Sequence, residues 1–220
     1  MQLRITKYNP AYRDKDGHFR KDDWTGVGDI GNIYDGKILT EEEYRQTESN
    51  YWNAYERLLQ GCSIPYMQVK NLSICNFPER ELLRSITEES LFFFSKILPL
   101  MDGENVHGQR LEYLFKLALR ECLGCRLFGP NNSYIHWGYD YYTFWGCDID
   151  IDYGFIKNSG LYAEDYESPF SSTGWDELTG SELEKCIEVK EQENRQNINK
   201  ITQLMSMRKL CCKAEAKPIK

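Results

Sequence analysis

The residues with the most chemical capacity lie between Asp140 and Glu184, where eleven carboxylates face a single lysine, Lys157. The chain as a whole carries a formal charge of -7, so this one segment more than accounts for its acidity. Aromatic side chains are interleaved with the acids: Tyr139, Tyr141, Tyr142, Trp145, Tyr153, Tyr162, Tyr166 and Trp175. Carboxylates steer a basic partner, and aromatics supply anchors that desolvate on contact. This mixture points to a protein-binding face made of Tyr139, Asp140, Tyr141, Tyr142, Trp145, Asp148, Asp150, Asp152, Glu164 and Asp165. The competing reading is an acidic loop whose aromatics belong to the core. Direct contact with nucleic acid is disfavoured in either case, because phosphates require Lys and Arg.

The run Asp148-Ile149-Asp150-Ile151-Asp152 has the D-x-D-x-D opening of a calcium loop. An EF-hand needs Gly at its sixth place and Glu at its twelfth, and Tyr153 and Ser159 stand there. Strict alternation predicts instead a strand with the three aspartates on one face and the two isoleucines on the other. Three carboxylates in a row call for a cation opposite, either a divalent metal or a partner's Lys or Arg. The partner is the preferred reading, and no resident metal or cofactor is expected.

Other chemistry is sparse. His18, His107 and His136 fall in separate stretches, and only His136, with Asp140 or a thiol nearby, could serve a small enzyme. No dinucleotide, phosphate-loop, zinc-protease or serine-hydrolase motif is present, so no catalytic residue is assigned. Cys122 and Cys125 have the spacing of half a zinc site. The other pair available, Cys211-Cys212, is adjacent in sequence and poorly shaped for one tetrahedral ion. The eight cysteines read as reduced, mostly buried thiols.

The elements that must position these residues follow from periodicity. Leu3 and Ile5 alternate with Arg4 and Thr6 as a short strand over residues 2 to 8. Residues 9 to 39 show no period and read as a long loop or small hairpins, tied down by Tyr12, Phe19, Trp24, Ile30 and Tyr34. Thr40 and Glu43 form a capping box that starts a helix ending at Gly61. A strand is expected at 66 to 74, and helices at 79 to 98 and 108 to 122, the last closed by Gly124 and Gly129-Pro130. Residues 132 to 156 are rich in strand formers around a turn at Gly138. A second capping box, Ser181 and Glu184, opens a C-terminal helix to about Leu210, followed by a basic, frayed tail at 211 to 220.

At 220 residues and 41% hydrophobic content the chain can bury one core. Residues 1 to 210 are therefore expected to form a single α+β domain, a small, mainly antiparallel sheet against three or four helices with a long helix last. No run approaches the roughly 18 apolar residues of a membrane span. The opening residues also lack the apolar stretch of a signal peptide, so a cytoplasmic location is expected.

Several stretches also resemble a known family. Ile5-Thr6-Lys7-Tyr8-Asn9-Pro10-Ala11-Tyr12-Arg13-Asp14, Lys21-Asp22-Asp23-Trp24-Thr25, Asp29-Ile30-Gly31, the Thr40-Glu41-Glu42-Glu43-Tyr44 helix start and Trp137-Gly138-Tyr139-Asp140-Tyr141-Tyr142 look like bacterial immunity proteins of polymorphic or contact-dependent growth-inhibition toxin systems. The resemblance implies a cytosolic, non-enzymatic inhibitor that binds one cognate toxin, often a basic nuclease domain, and blocks its active site. It transfers no individual residue role.

Overall fold

Alternation at the start of the chain has the expected consequence: Leu3 and Ile5 are fully buried, and Arg4 points to the opposite face of a strand, β1 (Gln2–Thr6). A computed structural model of the protein describes residues 1–74, 86–170 and 181–215, with side chains of the last segment from 187 to 208. Among these residues β1 is one of seven strands in an antiparallel sheet. The others are β4 (Met67–Ile74), β5 (Asn105–Val106), β6 (Leu123–Gly129), β7 (Ser133–Trp137), β8 (Thr143–Gly146) and β9 (Tyr162–Asp165), in the order β5-β4-β6-β7-β8-β1-β9. A two-stranded hairpin, β2 (Ile33–Tyr34) and β3 (Lys37–Ile38), lies within the N-terminal loop. The class is α+β as expected, but the sheet is larger than the three stretches read from the sequence.

Helix α1 (Glu41–Gly61) begins where the capping box places it, with the Thr40 hydroxyl accepting from Glu43 N–H and the Glu43 carboxylate accepting from Thr40 N–H, each at 3.1 Å. Its apolar stripe, Tyr44, Tyr51, Tyr55 and Leu58, packs on the inner face of the sheet beside α2 (Glu88–Ile97) and α3 (Gly108–Leu119). Phe115 of α3 meets Trp52, Tyr55 and Trp137 at ring separations of 5.7, 4.8 and 5.4 Å, joining α1, α3 and β7 in one core. Helix α2 starts at a Thr87 cap rather than near Glu79. The earlier part of that expectation, Leu82 included, lies outside the described residues.

The long helix α4 (Ser181–Glu215) docks by an unusual polar contact. The Asn194 side chain donates to Leu72 O and accepts from Ile74 N–H, both at 2.8 Å, and Asn197 donates to Ile74 O at 2.9 Å. These amides satisfy the end of β4 as a neighbouring strand would, while Ile201 and Leu204 bury the apolar side of the same helix.

Three strands of the sheet were not expected, β5, β6 and β9. In β6, Gly124 and Gly129 pair with their neighbours instead of closing a helix, which has already ended at Leu119. The sequence there lacks a clean period. Strand β9 is short and polar, and only its pairing with β1 defines it.

Candidate functional site

The outer face of the sheet, opposite the helices, is crossed by residues 166 to 170 as the chain leaves β9. Ser168 is buried there, with its Oγ 2.8 Å from His136 Nδ1, and Phe170 packs edge-on against Phe144 at 5.8 Å. The Tyr134 ring stacks on His136 at 4.5 Å and lies over Gly146, where any Cβ would sit 2.0 Å from the ring. A side chain at 146 would evict Tyr134.

At the end of this face, bordered by residues at the ends of β1, β6, β7, β8 and β9, the molecule opens into a groove of about 890 Å³. Phe128, Tyr134 and Tyr166 line it together with the carboxylates of Asp148, Asp165 and Glu167. Among the described residues no lysine or arginine side chain lines this groove. Asn132 donates to Asp148 at 2.6 Å and the Tyr153 hydroxyl to Asp165 at 3.2 Å, so two of the three acids are oriented by neutral donors, while the Met1 amine, which also borders the groove, pairs with Asp150.

The expected binding face is divided by the fold. Tyr139 is 81% exposed at the tip of the β7–β8 connection, with Asp140 exposed beside it. Tyr141 and Trp145 are corrected to core residues. Tyr141 is 4% exposed, and its ring packs on Trp24, Tyr44 and Tyr51, whereas Trp145 is wholly buried against Tyr55. The reason is a tight turn in which Tyr142 N–H donates to Tyr139 O at 3.1 Å, with both Asp140 (φ 56°) and Tyr141 (φ 62°) in the left-handed region. That turn points Tyr139 and Tyr141 in different directions. Tyr142 is half-buried, its ring 5.4 Å from that of Tyr8 and beneath the guanidinium groups of Arg4 and Arg13.

The aspartate run is corrected too, because residues 148 to 152 have no strand partner and form an irregular segment. All three carboxylates remain exposed but act separately. Asp148 takes Asn132, Asp150 lies 3.0 Å from the Met1 amine, and Asp152 caps Gly154 N–H at 2.8 Å. Among the described residues no group of three or more His, Cys, Asp or Glu side chains converges on a common point. Glu164 accepts from Arg4 at 3.1 Å and Arg13 at 2.7 Å, which occupies it within the molecule, whereas Asp165 faces the acidic groove.

His136 does not meet Asp140. It is 1% exposed, its hydrogen-bond partner is Ser168, and burial together with the nearby Arg126 lowers its pKa to about 4. The imidazole is therefore neutral and closed off. Cys122 is buried and Cys125 half-buried, and burial raises the Cys125 thiol well above its ordinary value. Cys211 and Cys212 lie beyond the described side chains.

Phe128, Tyr134 and Glu167 line the groove without belonging to the expected binding face. Glu167 and Tyr166 stood within the acidic aromatic segment. Phe128 and Tyr134 carried no signal, since only pairing between β6 and β7 brings them side by side. No protein-family model matches the chain, nor does any curated protein or solved structure. Among the described residues no helix is long and apolar enough to cross a membrane.

Proposed function

We propose that this chain is an inhibitory binding protein that takes a basic protein domain, of the kind its sequence resembles: a cytosolic immunity protein that covers the active site of a cognate toxin, with a nuclease domain as the favoured target. The observation that carries the reading is the groove beside β9, which combines the carboxylates of Asp148, Asp165 and Glu167 with aromatic walls and lacks a lysine or arginine side chain among its described lining. A partner's Lys or Arg side chain satisfies both features at once, by ion pairing to the acids and by stacking on Tyr134 or Tyr166. Tyr139, exposed beside Asp140 on a tight turn, adds an aromatic anchor of the type that dominates interface energies.

The direct test is co-expression with the toxin domain encoded by the neighbouring reading frame, followed by purification of the complex and a nuclease assay. The proposal requires rescue of growth, a stoichiometric complex and loss of toxin activity within it. A folded protein that neither binds that domain nor protects the cell would overturn it.

A further inference from the structure

Two thiols far apart in sequence meet behind the acidic groove. Cys62 follows the last turn of α1, and Cys147 follows β8. The two thiols are near neighbours. They also share a neighbour, since the Cys62 thiol lies 3.7 Å from Ile149 O and Ile149 N–H points to the Cys147 sulfur at 3.5 Å. Asn131 ties the same segments together, donating to Cys62 O and accepting from Asp148 N–H at 2.9 Å. Ile151 packs so closely on Gly61 that a Cβ there would lie 2.7 Å from its side chain. Neither sulfur is in a disulfide.

Access to the pair is unequal. Cys147 borders the groove of about 890 Å³ and keeps 4% of its surface exposed, whereas Cys62 has none. A small reagent entering the groove therefore meets Cys147 before Cys62. The groove's carboxylates disfavour anionic oxidants such as glutathione disulfide, so the oxidant suited to this site is small and neutral.

We infer that Cys147 and Cys62 form a peroxide-oxidisable pair, in which Cys147 is attacked first and Cys62 resolves it to a disulfide joining the end of β8 to the end of α1. The Cys147 sulfur attacks one oxygen of hydrogen peroxide as its proton leaves. The O–O bond breaks, the departing hydroxide takes up the thiol proton as water, and Cys147 becomes a sulfenic acid. The Cys62 sulfur then displaces the sulfenic oxygen, which leaves with the Cys62 proton as a second water. Two thiols and one peroxide thus give one disulfide and two waters. Burial and the contact with Cys147 push the Cys62 pKa up to about 12, which keeps Cys62 protonated and unreactive toward peroxide on its own and suits it to the resolving role. The disulfide would fasten the acidic segment beginning at Asp148 to α1. The chemistry does not depend on what the groove binds.

The test exposes the folded, reduced protein to hydrogen peroxide, quenches, alkylates the remaining thiols under denaturing conditions and maps the peptides. The expected result is a species lighter by two hydrogens with a Cys62–Cys147 linked peptide, formed in preference to any link involving Cys75, Cys186, Cys211 or Cys212. In a Cys62→Ser variant the sulfenic acid at Cys147 should persist and be trapped by dimedone. Full alkylation of Cys62 and Cys147 after peroxide, overoxidation of Cys147 without a link, or a link formed only once the chain is unfolded would each overturn the inference. The wild-type peptide map decides the matter even if the variant fails to fold.

Discussion

The hydroxyl of Tyr141 donates to the hydroxyl of Tyr44 at 2.6 Å, and the carbonyl of Tyr141 accepts from the Tyr51 hydroxyl at the same distance. One turn residue is thus held at both its side chain and its backbone by a helix about a hundred residues earlier in the chain. The hold matters because Tyr141 and Asp140 both adopt positive φ without being glycine, a conformation that costs about 1 kcal/mol or more per residue unless the surroundings impose it. Tyr141 is the anchor that fixes the tip, and Tyr139 is the side chain the tip displays.

Removing that anchor should therefore damage the fold before it damages any binding. Tyr141→Ala deletes a fully packed ring and is expected to cost about 3 to 5 kcal/mol, and Tyr141→Phe, which removes only the hydroxyl contact to Tyr44, about 1 kcal/mol. Urea unfolding of the two variants checks both values. A loss below about 1 kcal/mol for the alanine variant would mean that the turn is held by something else.

A second fixed point joins the helices. Arg120, at the end of α3, makes paired contacts with the Glu48 carboxylate at 2.6 and 2.7 Å, reaches Glu89 at 2.6 Å, and lies 4.9 Å from the centre of the Phe93 ring. Burial alone would lower the guanidinium's pKa, but Glu48 and Glu89 outweigh it and hold the group charged. Glu48→Gln leaves a buried cation with a weaker partner, and the expected loss approaches the roughly 3 to 5 kcal/mol seen when one side of a buried pair is removed. Replacing Glu48 and Arg120 together with apolar residues of similar size should restore much of that loss. A double variant no more stable than the single one would show that the pair does more than neutralise itself.

What the sequence made legible is local. The Thr40 and Glu43 capping box and the apolar stripe of α1 depend on residues three and four apart, so their types alone announce them. The inside or outside placement of Tyr139 and Tyr141 was not legible, because two left-handed residues interrupt the alternation that a strand would impose. All of β8 is buried, since the segment from Tyr166 to Phe170 covers the outer face, and no amphipathic pattern remains to show which way Trp145 points. The Asp148 to Asp152 run imitates a strand in composition but finds no neighbour to pair with. Glu48 was hidden for the opposite reason: a charge on the buried side of α1 makes sense only once Arg120 is seen to meet it.

His136 makes stability depend on pH in a defined window. Its folded pKa of about 4 lies below the ordinary value of 6.5, so the unfolded chain binds the proton more readily. The contribution is complete above about pH 6.5 and declines as pH falls toward 4, reaching roughly 3 kcal/mol over the full shift. Carboxylates begin to titrate at the lower end, so the useful comparison is between wild type and His136→Gln from about pH 5 to 6.5. Wild type should lose stability across that interval and the variant much less. Equal slopes would show that His136 is not kept neutral by its surroundings.

The binding proposal separates steering from anchoring. Glu167 has no hydrogen-bond partner among the described residues and is exposed, so Glu167→Lys should leave the unfolding midpoint within about 0.5 kcal/mol of wild type. Combined with reversal of Asp148, Asp150 and Asp152, it should slow association with a basic toxin domain and flatten the salt dependence of the on-rate, because the attraction acts through a field screened over about 8 Å at physiological ionic strength. Dissociation should change less. Tyr139→Ala should do the reverse, speeding dissociation by an amount equivalent to about 2 kcal/mol or more while leaving the on-rate and the fold nearly unchanged, since an 81% exposed ring carries little of the core. Stopped-flow association at several salt concentrations, with dissociation measured by competition, distinguishes the two effects. If charge reversal leaves the on-rate and its salt dependence untouched while the variant remains folded, the acidic groove is not the surface that meets the partner.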